Sequence, residues 1–178
     1  DSEVSSVVYA GNIGEGQGLH EILPYLACHY KGRLNFKVIG DGGRKRQLED
    51  AIHELGTDNI QLYSPVNRDE LIKIYKDADI LFLHLNDYDA FLKVMPSKIF
   101  EYAALGKPVW AGVSGYSAKF LEDYVSNSAV FHPCNLDEAI KSFNSLNLET
   151  CPRTEFVESF SRSKIMEEMA SDIISSRA

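Results

Sequence analysis

The stretch "PSKIFEYAALGKPV" sets Lys98 and Glu101 three positions apart, which on a helix puts an ammonium and a carboxylate on one face. Ile99, Phe100, Tyr102, Ala103, Ala104 and Leu105 crowd around Glu101, and so apolar a segment is expected to be buried. A buried carboxylate is costly unless something pairs with it or hydrogen-bonds to it. Two readings compete. One is a plain i,i+3 ion pair with Lys98. The other is an acceptor for a ribose diol, whose charge-assisted hydrogen bonds contribute ~1.5–3 kcal/mol each. The neighbouring residues favour the second. Pro96 suits the start of a helix, and Ser97 can cap it or donate from its hydroxyl. Free N–H groups of that first turn, with the Lys98 side chain, suit a dianionic group.

A second stretch points the same way. In "GNIGEGQG", Gly11, Gly14, Gly16 and Gly18 lie between a strand signal and a helix signal. Four glycines there allow a backbone to approach a phosphate closely. The spacing matches neither the dinucleotide fingerprint nor a P-loop, and a plain flexible turn is the competing reading. The pairs Asp87/Asp89 and Asp77/Asp79 could each hold a divalent cation, but so short a pattern arises cheaply. Solvated loop acids are the expectation, with no metal site. His84, in "LFLHL", reads as a satisfied core histidine that could also face a ligand. His20, His29, His53 and His132 show no ligand spacing and read as surface or packing residues.

The elements that must position these residues alternate regularly. Strand signals at "VSSVVYA", "LNFKVIG", "NIQLY", "DILFLHL", "PVWAG" and "AVFH" are separated by helical patterns. One of these runs from about Gly18 to Tyr30, and another, "NRDELIKIYKDA", opens with Asn67 at the cap and Glu70 three residues on. A polar link around "NLETCPRTE" leads to a last amphipathic helix, with Ile165, Met166, Met169 and Ile173 as a bracing stripe. Such alternation predicts a Rossmann-like, open doubly wound parallel sheet of about six strands with helices on both faces. The helix-to-strand connections are terse, whereas the strand-to-helix connections are long or rich in glycine. The latter emerge at the carboxyl ends of the strands, where open α/β sheets bind ligands.

Bulk properties narrow the class. A chain of 178 residues, 44% hydrophobic and 25% charged, is expected to form one globular domain. A net charge of -8 argues against a protein that tracks nucleic-acid backbones. Three scattered cysteines, Cys28, Cys134 and Cys151, offer neither a metal spacing nor a disulfide framework, which suits a reducing cytoplasm. No stretch is long and apolar enough to span a bilayer. The chain enters a strand almost at once without an initiator methionine, as a piece of a longer protein would.

"GNIGEGQGL", "VIGDG" and "PSKIFEYAALGKPVWAG", in this order, resemble the C-terminal, donor-binding domain of GT-B glycosyltransferases over roughly positions 7 to 140. Within them the pattern is similar to the bacterial retaining enzymes of family four that build surface polysaccharides, including transferases of N-acetylated hexosamines. The resemblance implies transfer of a sugar from a nucleoside diphosphate donor, such as a UDP-sugar, to a glycan or lipid-linked acceptor, with no metal or other cofactor. It implies that Glu101 takes the ribose hydroxyls and that the turn from Pro96 and Ser97 through Lys98 and Ile99 takes the diphosphate, Lys98 and Glu101 acting as catalytic groups. Gly11, Asn12, Gly14 and Gln17 would lie close to the phosphates, and the base would rest near Gly40, Asp41 and Val66.

The chain departs from that pattern at two places. Many relatives carry an acid eight positions before the ribose glutamate, and here Lys93 stands there. Many also have Arg and Lys in the first loop, where Asn12 and Gln17 stand, so that Lys93 or Lys98 would supply the charge. The family further implies a separate N-terminal acceptor domain, so residues 1–178 alone are expected to fold but to transfer no sugar. The full-length protein is expected in the cytoplasm, at the inner face of the membrane if its acceptor is lipid-linked. A sugar-nucleotide 2-epimerase-like domain and a non-catalytic regulatory α/β module are the alternatives. The first should show further acids and histidines around the site, and the second an acidic cluster after the first strand. "YAGNIG" has no such cluster.

Overall fold

The computed structural model describes residues 3–161. Six strands form one parallel sheet: β1 Ser5–Ala10, β2 Leu34–Ile39, β3 Ile60–Tyr63, β4 Ile80–His84, β5 Val109–Gly112 and β6 Ser128–Phe131. Their order in space is β3-β2-β1-β4-β5-β6. One helix follows each strand in turn, α1 Leu23–His29, α2 Lys45–Leu55, α3 Arg68–Asp77, α4 Lys98–Ala104, α5 Gly115–Tyr124 and α6 Leu136–Phe143, and α7 Thr154–Ser161 comes last.

The period-2 geometry of β1 explains the two-sided core. Val7 and Tyr9 point into one cluster, which is closed by Leu26 of α1, Leu48 of α2 and Phe143 of α6. Val8 and Ala10 point into the other, with Tyr75 of α3, Tyr102 of α4, Phe120 of α5 and Phe156 of α7. All five residues of β4 are buried, as expected of a strand covered on both faces. Trp110 of β5 is fully buried, and its indole N–H donates to the Ala139 carbonyl at 3.2 Å, so its polar end is satisfied. The expected cap of α3 is present, Asn67 Oδ1 accepting from the Glu70 N–H at 2.9 Å.

Two helical expectations need correction. The segment from Gly18 to Tyr30 is not one helix. A 3-10 turn covers Leu19–Glu21, Ile22 breaks the path at φ -133°, and α1 starts afresh at Leu23. Pro24, within the first turn of α1, has no N–H to continue an earlier helix, and it favours a new start. The stretch read as a polar link already contains the start of α7 at Thr154, and Phe156 and Phe160 of that helix pack on Phe120. The Ile165, Met166, Met169 and Ile173 stripe lies outside the described residues.

Arg153, just before α7, is buried although it belongs to that polar link. Its guanidinium donates to the carbonyls of Ser126, Ala103, Lys107 and Asn127 at 2.8–3.3 Å. It thereby ties the end of α4 to the turn before β6. Burial lowers its pKa to about 10.

At the same amino-terminal edge of the sheet, Asp79 accepts from the Ser6 N–H at 2.8 Å, a structural bond joining the starts of β4 and β1. Cys28, Cys134 and Cys151 are free thiols. Among the described residues no helix is long and apolar enough to cross a membrane.

Candidate functional site

Strand order reverses its direction of growth between β1 and β4, and a crevice opens where loops leave their carboxyl ends toward opposite faces. Two adjoining cavities occupy this edge. The first, of about 300 Å³, lies between the ends of β1 and β2 and is lined by Gly11, Asn12, Gly40, Asp41, Val66 and Lys98 among others. The second, of about 270 Å³, lies toward β4 and is lined by Tyr9, Asn12, Gln17, Pro96, Ser97 and Lys98 among others. Asn12 and Lys98 belong to both walls.

The backbones at the ends of β1 and β2 approach closely. Gly40 has φ +159°, and a Cβ there would overlap the Gly11 carbonyl oxygen. Gly11 has φ +152°, and a Cβ on it would come within 2.8 Å of Lys98 Cε. The bare backbone at Gly11 therefore gives the Lys98 stem its path across the crevice. The Lys98 ammonium donates to the Tyr75 hydroxyl at 3.3 Å.

The glycine-rich loop is tied down by its own residues and by the segment after β4. Gln17 Oε1 accepts from Asn12 Nδ2 and from the Gly14 N–H, both at 3.1 Å. Tyr9 donates its hydroxyl to the Asn12 carbonyl at 2.6 Å. Asn86 donates its backbone N–H to the Gly16 carbonyl and its side chain to the Glu15 carbonyl, each at 2.9 Å. The Glu15 carboxylate meets Arg44 Nε at 2.6 Å and accepts from the Tyr88 hydroxyl. These two contacts hold its pKa below the usual carboxylate value, the hydrogen bond from Tyr88 being the largest single cause.

His84 is fully buried at the end of β4 and is satisfied on both nitrogens. Nδ1 lies 2.7 Å from the Gln17 carbonyl and must donate to it, while Nε2 accepts from the Cys134 N–H at 3.0 Å. Burial pushes its pKa down to about 4, so the ring is neutral near pH 7. The core-histidine reading is the one the structure shows, although the ring also borders the second cavity.

The structure departs from several expectations for the site residues. Glu101 is not buried: its side chain is 29% exposed, and its carboxylate meets Arg68, at the start of α3, at 3.6 Å. It lines neither cavity and stands at the rim, close enough to Tyr75 for its charge to add to the burial that raises the Tyr75 pKa. The apolar residues around it face the other way. Ile99, Phe100, Tyr102 and Ala103 fill the core, whereas Lys98 and Glu101 share the outer face of a seven-residue helix. Ile99 is thus a packing side chain. Ser97 makes no cap hydrogen bond because its backbone is already helical, at φ -59° and ψ -27°. Gly14 and Lys93 line neither cavity, and Lys93 is exposed. Asp87 is paired with His132 at 3.2 Å, and among the described residues no group of three His, Cys, Asp or Glu could hold a metal. Tyr9, Tyr75 and Arg68 were not singled out from the sequence.

A family profile described as "Glycosyl transferases group 1" matches residues 2–161. The chain belongs to this family. Over 100 residues it is 32% identical to the putative colanic acid biosynthesis glycosyl transferase WcaI of Escherichia coli (strain K12), a match covering 56% of this chain and 24% of WcaI. Among solved structures, S. aureus TarM in complex with Fondaparinux, alpha-GlcNAc-glycerol and UDP superposes with a TM-score of 0.72 at 17% identity, covering 96% of this chain and 36% of TarM. Anabaena HepE in complex with UDP-glucose gives 0.70 at 16% identity, covering 97% of this chain and 49% of HepE. The chain therefore spans about a quarter of WcaI and up to about half of these structures. The sheet order and the helices on both faces give this group 1 glycosyltransferase domain the Rossmann-like architecture of a GT-B half.

Proposed function

We propose that this domain binds the nucleoside diphosphate part of a sugar donor across the two adjoining cavities and serves the transfer of that sugar to a glycan or lipid-linked acceptor. The observation that carries the reading is the position of Lys98 on both cavity walls, held beside a glycine backbone at the switch point of the sheet. The first cavity takes the base and ribose, bounded by Gly40, Asp41 and Val66. The diphosphate spans the junction at Lys98 and Asn12, near Gly11 and Gln17, with Pro96, Ser97 and the backbone of the first turn of α4 beside it. The sugar extends into the second cavity.

In this arrangement bond breaking is electrostatic. As the bond from the sugar to the diphosphate lengthens, negative charge grows on the departing phosphate, and the Lys98 ammonium stabilises it where it develops. Glu101 accepts the ribose hydroxyls at the rim and fixes the nucleoside, which requires its carboxylate to leave Arg68. The leaving diphosphate needs no metal in this reading, since a side-chain cation already stands beside it.

Surface-polysaccharide synthesis as the pathway class is supported by the likeness to WcaI, and a UDP donor by the ligands named for TarM and HepE. An N-acetyl amino sugar is one candidate for the transferred group. Acceptor-binding groups reside in a further part of the same protein, consistent with the fraction of its relatives that the chain spans, so the 178 residues alone transfer no sugar. The free thiols suit a cytoplasmic site, at the inner face of the membrane where an acceptor is lipid-linked.

The test is calorimetric titration with UDP, GDP, CDP and dTDP, alongside the matching nucleosides. Binding of at least one diphosphate, weakened by Lys98→Met while the nucleoside is unaffected, is the expected result. No binding of any diphosphate, or equal binding by Lys98→Met, sinks the assignment.

A further inference from the structure

Lys98 reaches the junction of the cavities on a flexible stem of four methylene groups, and a cation on such a stem gains nothing from its charge unless its position is fixed. Two features help to fix it. On one side the stem passes over Gly11, where a Cβ would crowd Cε. On the other, the ammonium donates to the Tyr75 hydroxyl at 3.3 Å. Tyr75 has no exposure, and its ring packs edge-on against Tyr102 with centroids 5.5 Å apart. Tyr102 is in turn tied to the Phe82 carbonyl of β4 at 3.2 Å. The Tyr75 oxygen is therefore anchored to the sheet through two packed rings. It stands on α3, a different element from the lysine it meets.

We propose that Tyr75 is a positioning residue for group transfer, a buried hydroxyl that places the Lys98 ammonium against the diphosphate without neutralising it. The inference rests on the donor-binding reading above. A hydroxyl is the suitable partner. A carboxylate in its place would form an ion pair and compete with the phosphates for the cation, whereas a neutral phenol orients the ammonium without itself cancelling the charge. Burial, with the added charge of Glu101, raises the Tyr75 pKa above that of a free phenol, so the hydroxyl stays protonated and neutral across the working range. The distance from the wall to the core is spanned by the phenol itself, which explains a tyrosine where phenylalanine would pack equally well.

A double-mutant cycle tests this on the full chain, with the tightest binder among UDP, GDP, CDP and dTDP as probe and the matching nucleoside as control. Tyr75→Phe keeps the ring and removes only the hydroxyl. Its expected effect is a loss of about fivefold in diphosphate affinity, with nucleoside affinity unchanged. In a Lys98→Met background the same change is expected to cost nothing further, because Tyr75 acts through the ammonium. A loss of equal size in both backgrounds, or an equal loss for nucleoside and diphosphate, would mark Tyr75 as a packing residue and overturn the inference. Unchanged diphosphate affinity in Tyr75→Phe, with a clear loss in Lys98→Met, overturns it while leaving the donor reading intact. Absence of diphosphate binding by the unaltered chain overturns both.

Discussion

Arg68 and Glu101, 33 residues apart in sequence, meet at 3.6 Å across the gap between α3 and α4, at the rim of the first cavity. Arg68 is 75% exposed, so their attraction is screened and contributes little to folding, within about 1 kcal/mol. On the donor reading proposed above, the guanidinium and a ribose diol would compete for the same carboxylate.

Removing the competitor is thus expected to help binding. Arg68→Ala should leave thermal stability within about 0.5 kcal/mol and raise nucleoside diphosphate affinity by up to about fivefold. Glu101→Ala should lower that affinity by ~1–3 kcal/mol, with pyrophosphate binding unchanged because it has no ribose. Calorimetry with both ligands checks the pair. Equal nucleotide affinity in Glu101→Ala and the unaltered chain would falsify the diol assignment.

Nucleotide affinity is expected to be the same in magnesium and in a chelator. Asp87 is already engaged by His132, and Asp79 is bonded at the far end of the sheet. A loss on chelation of about tenfold, near 1.4 kcal/mol, would restore Asp87 and Asp89 as metal ligands.

His84 supplies a pH dependence with a definite sign. Its folded pKa of about 4 lies below the ordinary 6.5, so between these values the unfolded chain binds the proton and the folded one does not. Stability from this group is complete above pH 6.5, falls as pH drops toward 4, and levels off below. The full span corresponds to roughly 3 kcal/mol. Urea denaturation from pH 7 to pH 4.5 should show a steeper loss for the unaltered chain than for His84→Asn. Parallel curves would mean that the imidazole is not held neutral.

Arg153→Met should destabilise by about 3 kcal/mol, since it strips hydrogen bonds from four carbonyls that the fold has turned toward one guanidinium. The melting temperature reports this directly. A shift of under a degree would mean that water replaces the guanidinium at no cost.

The strands and most helices were legible because their signals are local: alternation in β2, a nearly unbroken apolar run in β4, an Asn–Glu pair opening α3. The edge of the sheet that carries the two cavities was legible from loop length and glycine content. The burial of Glu101 was misread because composition was used where periodicity decides. Four apolar neighbours point inward from α4, and the same geometry turns Lys98 and Glu101 outward. Its partner Arg68 could not be read at all, because nothing local records which residues meet across two helices. Arg153 was hidden for a related reason. A polar segment looks solvated until the carbonyls that receive its guanidinium are brought together by the fold.

The glycine-rich loop carries a last consequence. Asn86 holds the Gly16 and Glu15 carbonyls, His84 holds that of Gln17, and Tyr88 and Arg44 grip the Glu15 side chain. A segment rich in glycine would ordinarily lose much conformational freedom on wrapping a ligand. Here much of that freedom is already spent when the chain folds, so on the donor reading proposed above the loop would meet its ligand in a set shape at a reduced entropic penalty. The anchors after β4 also belong to the connection that leads to Lys98. The two walls of the crevice are therefore tied to each other through this connection, and a perturbation at Asn86 or Tyr88, outside both cavities, should be felt at the junction between them.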